Sequence, residues 1–137
     1  WIGTTSGLLR YNRSSDDFLR IKELDNVFVY DILEDSYGKL WLATYSDGVF
    51  CYDLPQNRWK HYKWIPEDST SLPYNKVISI FEDSHKRIWF TTQGAGFCRF
   101  CPEADNFVCY DMTDGFPSNI VYKIVEDNEE KLWLTNK

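Results

Sequence analysis

One segment of this sequence is written several times over. Residues 32–53 read ILEDSYGKLWLATYSDGVFCYD, residues 80–101 read IFEDSHKRIWFTTQGAGFCRFC, and residues 124–135 begin a further copy with IVEDNEEKLWLT. The chain opens on a related stretch, WIGTTSGLLRYN. Tryptophans mark the copies at a spacing of about 44 residues, at Trp1, Trp41, Trp89 and Trp133. Self-similarity at a fixed period indicates an array of structural repeats.

Each unit reads as four short strands separated by turns. In the second unit we predict strands at 29–33, 40–44, 49–53 and 59–62, which are rich in β-branched and aromatic residues. Gly, Asn, Asp and Ser fill the segments between them and favour turns. Four antiparallel strands in a unit of about 40 to 50 residues are typical of a β-propeller blade. The 3.6-residue periodicity of a helical repeat is absent.

The predicted blades divide the chain into four segments. They are a partial blade with the last three strands at 1–26, a blade and its connection at 27–75, a second blade and connection at 76–119, and the first two strands of another blade at 120–137. These amount to about three blades, whereas closed propellers contain about 4–8. We expect an all-β, partial propeller that is a piece of a longer array.

An open wedge of blades would expose apolar faces and unpaired strand edges, both of which favour association. We therefore expect a head-to-tail homodimer, closed through the blade edges. In that arrangement, the strand after Ile120 completes the blade that begins at the partner's Trp1.

Several function classes find no support in the composition. The net charge of −6, without a run of Lys or Arg, argues against nucleic-acid binding and against contact with anionic membranes. No apolar stretch approaches the roughly 20 residues of a membrane helix. His61 and His85 are the only histidines; they lack metal-ligand spacing, and no nucleophile or phosphate-loop motif occurs. We expect no catalytic residue, metal or cofactor.

Adjacent carboxylates recur once per unit and resemble the pairs used in acid–base catalysis. They are Glu34-Asp35, Glu82-Asp83 and Glu126-Asp127. Neighbouring residues on a strand point to opposite faces, and catalytic groups are placed once on a fold rather than repeated with it. We therefore interpret the pairs as structural.

The repeat also resembles a known family. The stretches LWLATYSDGVFCYD, IWFTTQGAGFCRF and WIGTTSGLLRYN are similar to the LWxGTxxGLxxYD core of the two-component regulator propeller repeat. The stretches SLPYNKVISIFED and GFPSNIVYKIVED resemble the segment that joins its blades. Ala43 and Thr91 replace the usual glycine, which Gly3 keeps, and Arg99-Phe100-Cys101 replaces the Tyr-Asp ending.

This resemblance implies a function beyond the fold. Such repeats typically form the periplasmic sensor of a bacterial hybrid two-component histidine kinase, and many are thought to report glycan fragments. The membrane helix, kinase, receiver and DNA-binding domains of such a protein would lie outside this chain. The alternative is a propeller that binds no small molecule and mediates protein interaction or sensor dimerisation. A lyase or hydrolase propeller would need a His/Tyr/Arg cluster at the channel, which the sequence does not supply.

Residues that the repeat does not explain are the candidates for ligand binding. In propellers, the hairpins between second and third strands and the connections between blades gather on one face, near the central channel, which is the usual ligand site. The polar and aromatic residues expected there are Tyr45, Asp47, Trp64, Tyr74, Gln93, Phe116 and Asn119. Aromatic faces with amide and carboxylate neighbours suit an oligosaccharide; the alternative is that these are ordinary loop residues.

The four cysteines leave one question open. Cys51, Cys98, Cys101 and Cys109 lack metal-ligand spacing and do not recur at equivalent repeat positions. If a hairpin pairs Phe100 with Phe107, Cys98 falls opposite Cys109, and an oxidising compartment would allow a disulfide. The alternative, which we favour because cross-strand geometry strains a disulfide, is that all four are small buried apolar residues.

Overall fold

The structure, a computed structural model, describes all residues 1–137 and consists of short strands with two single-turn 3-10 helices, Lys22–Leu24 and Met112–Asp114. The strands are β1 (Ile2–Thr4), β2 (Gly7–Asn12), β3 (Asp17–Ile21), β4 (Val29–Glu34), β5 (Lys39–Thr44), β6 (Val49–Asp53), β7 (Arg58–Tyr62), β8 (Val77–Glu82), β9 (Ile88–Thr92), β10 (Phe97–Cys101), β11 (Asn106–Tyr110), β12 (Val121–Glu126) and β13 (Leu132–Asn136). No helix in the chain has the length and apolar character needed to cross a membrane.

The strands form four antiparallel sheets, which we call blades 1 to 4. Blade 1 contains β1–β3, blade 2 contains β4–β7, blade 3 contains β8–β11 and blade 4 contains β12–β13. Within each blade every strand pairs with its neighbour in sequence. Neighbouring blades meet through their first strands, since β4 contacts β8 and β8 contacts β12. The all-β partial propeller predicted from the sequence is confirmed.

Aromatic and aliphatic side chains fill the space between blades. Between blades 2 and 3, Trp41 lies edge-on to Phe90 and Phe100, with ring centroids 5.4 and 4.9 Å away. Leu8, Leu24 and a further group of aliphatic residues fill the space between blades 1 and 2. Full burial of such a side chain stabilises a fold by roughly 1.5–3 kcal/mol, so these contacts dominate the attraction between blades.

The aspartate of each Glu-Asp pair closes the turn between the first two strands of its blade. In blade 2, Oδ1 of Asp35 accepts hydrogen bonds from the backbone N–H groups of Tyr37 and Lys39, both at 2.9 Å. Its Oδ2 accepts a 2.8 Å hydrogen bond from the indole Nε1–H of Trp41. The same bond recurs from Trp89 to Asp83 and from Trp133 to Asp127. A buried indole N–H is thereby satisfied in blades 2 and 3, and the same bond forms at the exposed Trp133 of blade 4.

The glutamates of the pairs in blades 3 and 4 bind the preceding blade. Glu82 accepts hydrogen bonds from the backbone N–H and the hydroxyl of Ser36 in blade 2. Glu126 accepts the same two bonds from Ser84 in blade 3. The carboxylate pairs therefore have separate structural roles, one within a blade and one between blades.

Each hairpin between the second and third strands depends on a threonine and a glycine. The Thr92 hydroxyl donates to the carbonyl of Gly96 at 2.9 Å and accepts from the backbone N–H of Ala95 at 3.0 Å. Thr44 bonds Gly48 in the same way. Gly96 has a φ of +71°, and a methyl group there would lie 2.0 Å from the Tyr110 carbonyl oxygen. The glycine of the repeat is required by both conformation and close approach.

A substitution at this glycine tests the role of close approach. We expect Gly96→Ala to lower the free energy of unfolding by clearly more than Gly115→Ala. Gly115 also has a positive φ, of +91°, but nothing lies within 4 Å of its added methyl group, so its variant should lose only the roughly 1–2 kcal/mol of a left-handed residue. Urea unfolding of both variants measures the difference, and equal losses would contradict the packing argument.

The turn aspartate makes stability depend on pH. Burial alone would raise the pKa of Asp83, but hydrogen bonds from the Trp89 indole and from Arg87, with the charge of Arg87, hold that pKa below its ordinary value. A carboxylate with a lowered pKa in the folded state stabilises the fold above its unfolded pKa, about 3.9, and this stabilisation is lost as pH falls through the folded pKa.

We therefore expect the unfolding free energy of the wild-type chain to fall more steeply than that of Asp83→Asn as the pH is lowered from about 5 towards 1. The variant should be less stable near neutral pH because an amide cannot accept from the Trp89 indole as strongly as a carboxylate does. Urea midpoints measured across this pH range provide the test. Two parallel curves would mean that Asp83 does not contribute.

Candidate functional site

The two ends of the blades are built differently. Short turns, such as 35–38 and 83–87, lie at one end, which we call the turn end. The hairpins 45–48 and 93–96 and the connections 63–76 and 111–120 lie at the other, which we call the hairpin end. Hydrogen bonds tie each connection to a hairpin, since Gly48 N–H donates to the Asn75 carbonyl and Gly96 N–H donates to the Asn119 carbonyl, both at 2.9 Å. All seven predicted site residues lie at the hairpin end.

Three aromatic rings cluster at the hairpin end of blade 2. Tyr45 stacks on Phe28 with a centroid distance of 5.4 Å and an interplanar angle of 15°. Tyr30 lies 4.8 Å from Phe28 and 5.7 Å from Tyr45. Tyr30 and Tyr45 are 43% and 42% exposed, although their packing together buries part of each ring. We call these three residues the aromatic cluster.

Charged groups border the aromatic cluster. Lys76 Nζ, from the connection to blade 3, lies 4.0 Å from the centroid of the Tyr45 ring, in a cation–π arrangement. Asp47 accepts a 3.0 Å hydrogen bond from the Ser46 hydroxyl, and its carboxylate lies 3.6 Å from Lys63 Nζ. The positively charged lysine donors and the negatively charged aspartate acceptor therefore border an exposed aromatic surface.

Tyr45 is predicted from the sequence as a site residue, whereas Phe28 and Tyr30 are not. These two flank the start of β4 and read as ordinary strand residues. Comparison of the two complete blades provides the missing signal, because the equivalent positions in blade 3 hold Lys76 and Ile78. The cluster is thus an addition to blade 2 that the repeat does not require.

The other aromatic candidates lie along the connection from blade 2 to blade 3. The Trp64 ring is 52% exposed, and its backbone N–H donates to Oδ1 of Asn75 at 2.8 Å. The Tyr74 ring is 44% exposed and covers the next hairpin, since a methyl group on Gly94 would lie 3.1 Å from Tyr74 Cε1. Gln93 is held by its backbone, which donates to the Lys76 carbonyl at 3.0 Å. These side chains extend the surface from blade 2 towards blade 3.

Phe116 and Asn119 are engaged in holding the fold. Phe116 packs edge-on against Phe97 with a centroid distance of 5.1 Å. Oδ1 of Asn119 accepts from the Met112 backbone N–H at 3.0 Å, as Asn75 does from Trp64 in the preceding connection. The two asparagines occupy equivalent positions, so Asn119 is a repeat residue that fixes a connection.

Three cavities lie away from the aromatic cluster, and one of them, of about 530 Å³, lies beside the outer strands of blade 1. One of about 620 Å³ opens between blades 2 and 3 at the turn end, beside Tyr37 and His85. Another, of about 290 Å³, lies beneath the connection after β7, where Asp105 accepts hydrogen bonds from Lys60 and Tyr62. Burial, followed by the bond to Asp105, raises the pKa of the Tyr62 hydroxyl. The hairpin end is therefore an open surface.

No group of three or more His, Cys, Asp or Glu side chains is arranged to hold a metal ion. The chemistry available at the hairpin end consists of stacking on aromatic rings and hydrogen bonding to charged groups. This is the chemistry of binding.

Known proteins share both the repeat and the fold. Residues 23–46 and 71–94 match the family described as two component regulator propeller. A histidine kinase, P4, of Formosa agariphila is 33% identical over 128 residues, which cover 87% of this chain. The extracellular domains of the hybrid two-component systems BT3049 and BT4673 of B. thetaiotaomicron superpose over 99% of the chain, with TM-scores of 0.87 and 0.76 and identities of 19% and 20%.

The chain spans 9% of the length of the curated relative and 20% of each of these two solved chains. At such low identity the solved structures establish the fold alone. Each matched segment contains the first two strands of a blade, with its turn aspartate and its hairpin threonine. The chain therefore contains repeats of the two-component regulator propeller family.

Proposed function

We propose that this chain is part of the extracytoplasmic sensor region of a hybrid two-component system. Two similar solved structures are extracellular domains of such systems, and the curated relative is named a histidine kinase. Kinase activity would reside elsewhere in the parent protein, since the groups at the hairpin end suit binding. Under this proposal the chain lies in the periplasm, and ligand binding changes the packing between blades.

We further propose that the hairpin end binds an oligosaccharide. The observation that carries this proposal is the aromatic cluster of Phe28, Tyr30 and Tyr45, in which two exposed tyrosines pack on a half-buried phenylalanine. Aromatic rings offer a rigid apolar surface on which the C–H face of a sugar ring can stack. An open surface bordered by polar groups fits a chain-like ligand better than a compact one.

The charged neighbours supply the polar half of such a site. Asp47 can accept hydrogen bonds from sugar hydroxyls, while Lys63 and Lys76 can donate them. Trp64 and Tyr74 would extend the contact along the connection between blades 2 and 3, with the Gln93 amide at its end. Because these groups come from two blades, a ligand that spans them would bind only one relative position of the blades. Phe116 and Asn119, also predicted from the sequence, would stabilise the connection after blade 3 rather than contact the ligand.

Removal of one ring tests the binding proposal. We expect Tyr45→Ala to weaken binding of an oligosaccharide at least ten-fold, because it removes the ring that stacks on Phe28 and faces Lys76. Calorimetric titration with a panel of neutral and acidic oligosaccharides measures this. Tyr37→Ala is the matched control, since Tyr37 is 67% exposed at the turn end.

The control should bind like the wild-type chain. Equal loss in both variants would indicate a general effect on the fold. No loss in Tyr45→Ala would move the binding site away from the aromatic cluster and contradict the proposal.

A second role, in self-association, is favoured by the exposed face of blade 4. Trp133 is 60% exposed, whereas its counterparts Trp41 and Trp89 are 1% and 7% exposed beneath the next blade. Tyr122 and Val125 are also exposed. We propose that a second copy of the chain covers this apolar face, which would give the homodimer closed through blade edges.

Light scattering behind size exclusion tests this association. We expect a dimer at micromolar concentration, with twice the 16.3 kDa mass of the single chain, and we expect Val125→Asp to shift it towards monomer because a charge would be buried in the interface. A folded wild-type monomer at high concentration would contradict the proposal.

A further inference from the structure

Two thiols face each other across the outer hairpin of blade 3. The register pairs Phe100 with Phe107, so Cys98 lies directly opposite Cys109. Opposed residues on antiparallel strands have Cα atoms about 4.5–5.5 Å apart, which is within the roughly 4.4–6.8 Å range of disulfides. Cys109 also packs against the buried cluster that contains Cys98. The strand spacing at this pair therefore lies within the range that a disulfide needs, which reopens the pairing that the sequence alone did not favour.

The pair is a feature of blade 3 alone. The equivalent cross-strand positions in blade 2 hold Phe50 and His61, whose rings stack with centroids 3.8 Å apart. These positions therefore bring opposed side chains into contact in both blades. The other thiols have no such partner, because Cys51 lies opposite Trp41 and Lys60, and Cys101 lies opposite Asn106.

The surroundings give the two sulfurs different access to solvent. Cys98 is fully buried in the core between blades 2 and 3, and Cys109 is half-buried at the margin of that core. The connection from blade 2 also packs here, since Phe107 N–H donates to the Thr70 carbonyl at 2.9 Å. A link between these strands would thus fix the outer part of blade 3 on which this connection rests.

We propose that Cys98 and Cys109 form a redox pair that is oxidised to a disulfide between β10 and β11. This proposal rests on the proposed extracytoplasmic location in one respect, which is the source of the oxidant. Disulfides persist in oxidising compartments. The geometry of the pair is independent of that location and of any ligand.

Oxidation proceeds by thiol–disulfide exchange with a small disulfide such as oxidised glutathione. The more accessible Cys109 loses its proton and attacks one sulfur of the oxidant, which forms a mixed disulfide and releases one glutathione thiolate. Cys98 then loses its proton and attacks the Cys109 sulfur, which releases the second glutathione. The two cysteines together lose two protons and two electrons, and the oxidant takes up both to become two glutathione thiols.

The second step should be slow at neutral pH. Burial, followed by the hydrogen bond to Cys109, raises the pKa of the Cys98 thiol, which leaves little thiolate to attack. The rate of disulfide formation should therefore increase as pH rises. The disulfide closes a short loop and restricts the unfolded chain, so the oxidised form should melt at a higher temperature than the reduced form.

Peptide mapping tests the pair directly. The chain is incubated with oxidised glutathione or with dithiothreitol, its free thiols are alkylated under denaturing conditions, and it is digested with trypsin. Cleavage after Arg99 places Cys98 in peptide 88–99 and Cys109 in peptide 100–123. We expect these peptides to be linked after oxidation and separate after reduction.

Two conservative variants identify the partner, because peptide 100–123 also contains Cys101. The link should survive in Cys101→Ser and disappear in Cys109→Ser, and the melting temperature of Cys109→Ser should no longer respond to oxidant. Separate peptides in excess oxidised glutathione, or a link that persists in Cys109→Ser, would overturn the proposal. Oligosaccharide titration of the reduced chain tests the proposed function separately, so that failure of one can be distinguished from failure of the other.

Discussion

A hydrogen bond from a tryptophan indole to an aspartate is the interaction on which blades 2, 3 and 4 depend. The carboxylate that accepts it also binds two backbone N–H groups of the turn, so one side chain fixes the turn, the second strand and the indole. The indole of Trp41 can then be buried in the apolar space between blades without an unpaired donor. Because the adjacent glutamate in blades 3 and 4 binds the preceding blade, a two-residue motif specifies both the blade and its contact with the blade before it.

Because few residues fix each blade, the residues at the hairpin end can differ from one blade to the next. The hairpins are held by the repeat threonine and glycine, and the connections by an asparagine, so the repeat does not require particular residues at several other positions of this end. Phe28, Tyr30 and Tyr45 occupy such positions in blade 2, where blade 3 has Lys76, Ile78 and Gln93. A scaffold fixed by its repeat can therefore present a different surface on each blade.

The sequence predicted the strands, the hairpin register and the structural nature of the carboxylate pairs, because each recurs and turn chemistry limits its position. The strand bounds differ by about one residue, as with β7, which begins at Arg58 rather than Trp59. The aromatic cluster was predicted only through Tyr45, since strand residues such as Phe28 and Tyr30 show their exposure only once the blades are packed. Asn119 was predicted as a ligand group, yet alignment with Asn75 reveals a repeat residue that holds a connection. The partners of Lys76 could not be predicted, because its contact with Tyr45 crosses between blades.

We propose that the hairpin end, rather than the turn end, is the functional surface of this chain. Hydrogen–deuterium exchange of the chain, measured with and without a saturating mixture of oligosaccharides, tests this because it reports on every backbone segment at once. We expect slower exchange in the ligand-bound chain at residues 28–30, 45–48 and 63–76, with the turns 35–38 and 83–87 unchanged. Protection confined to those turns, beside the cavity between blades 2 and 3, would contradict the account.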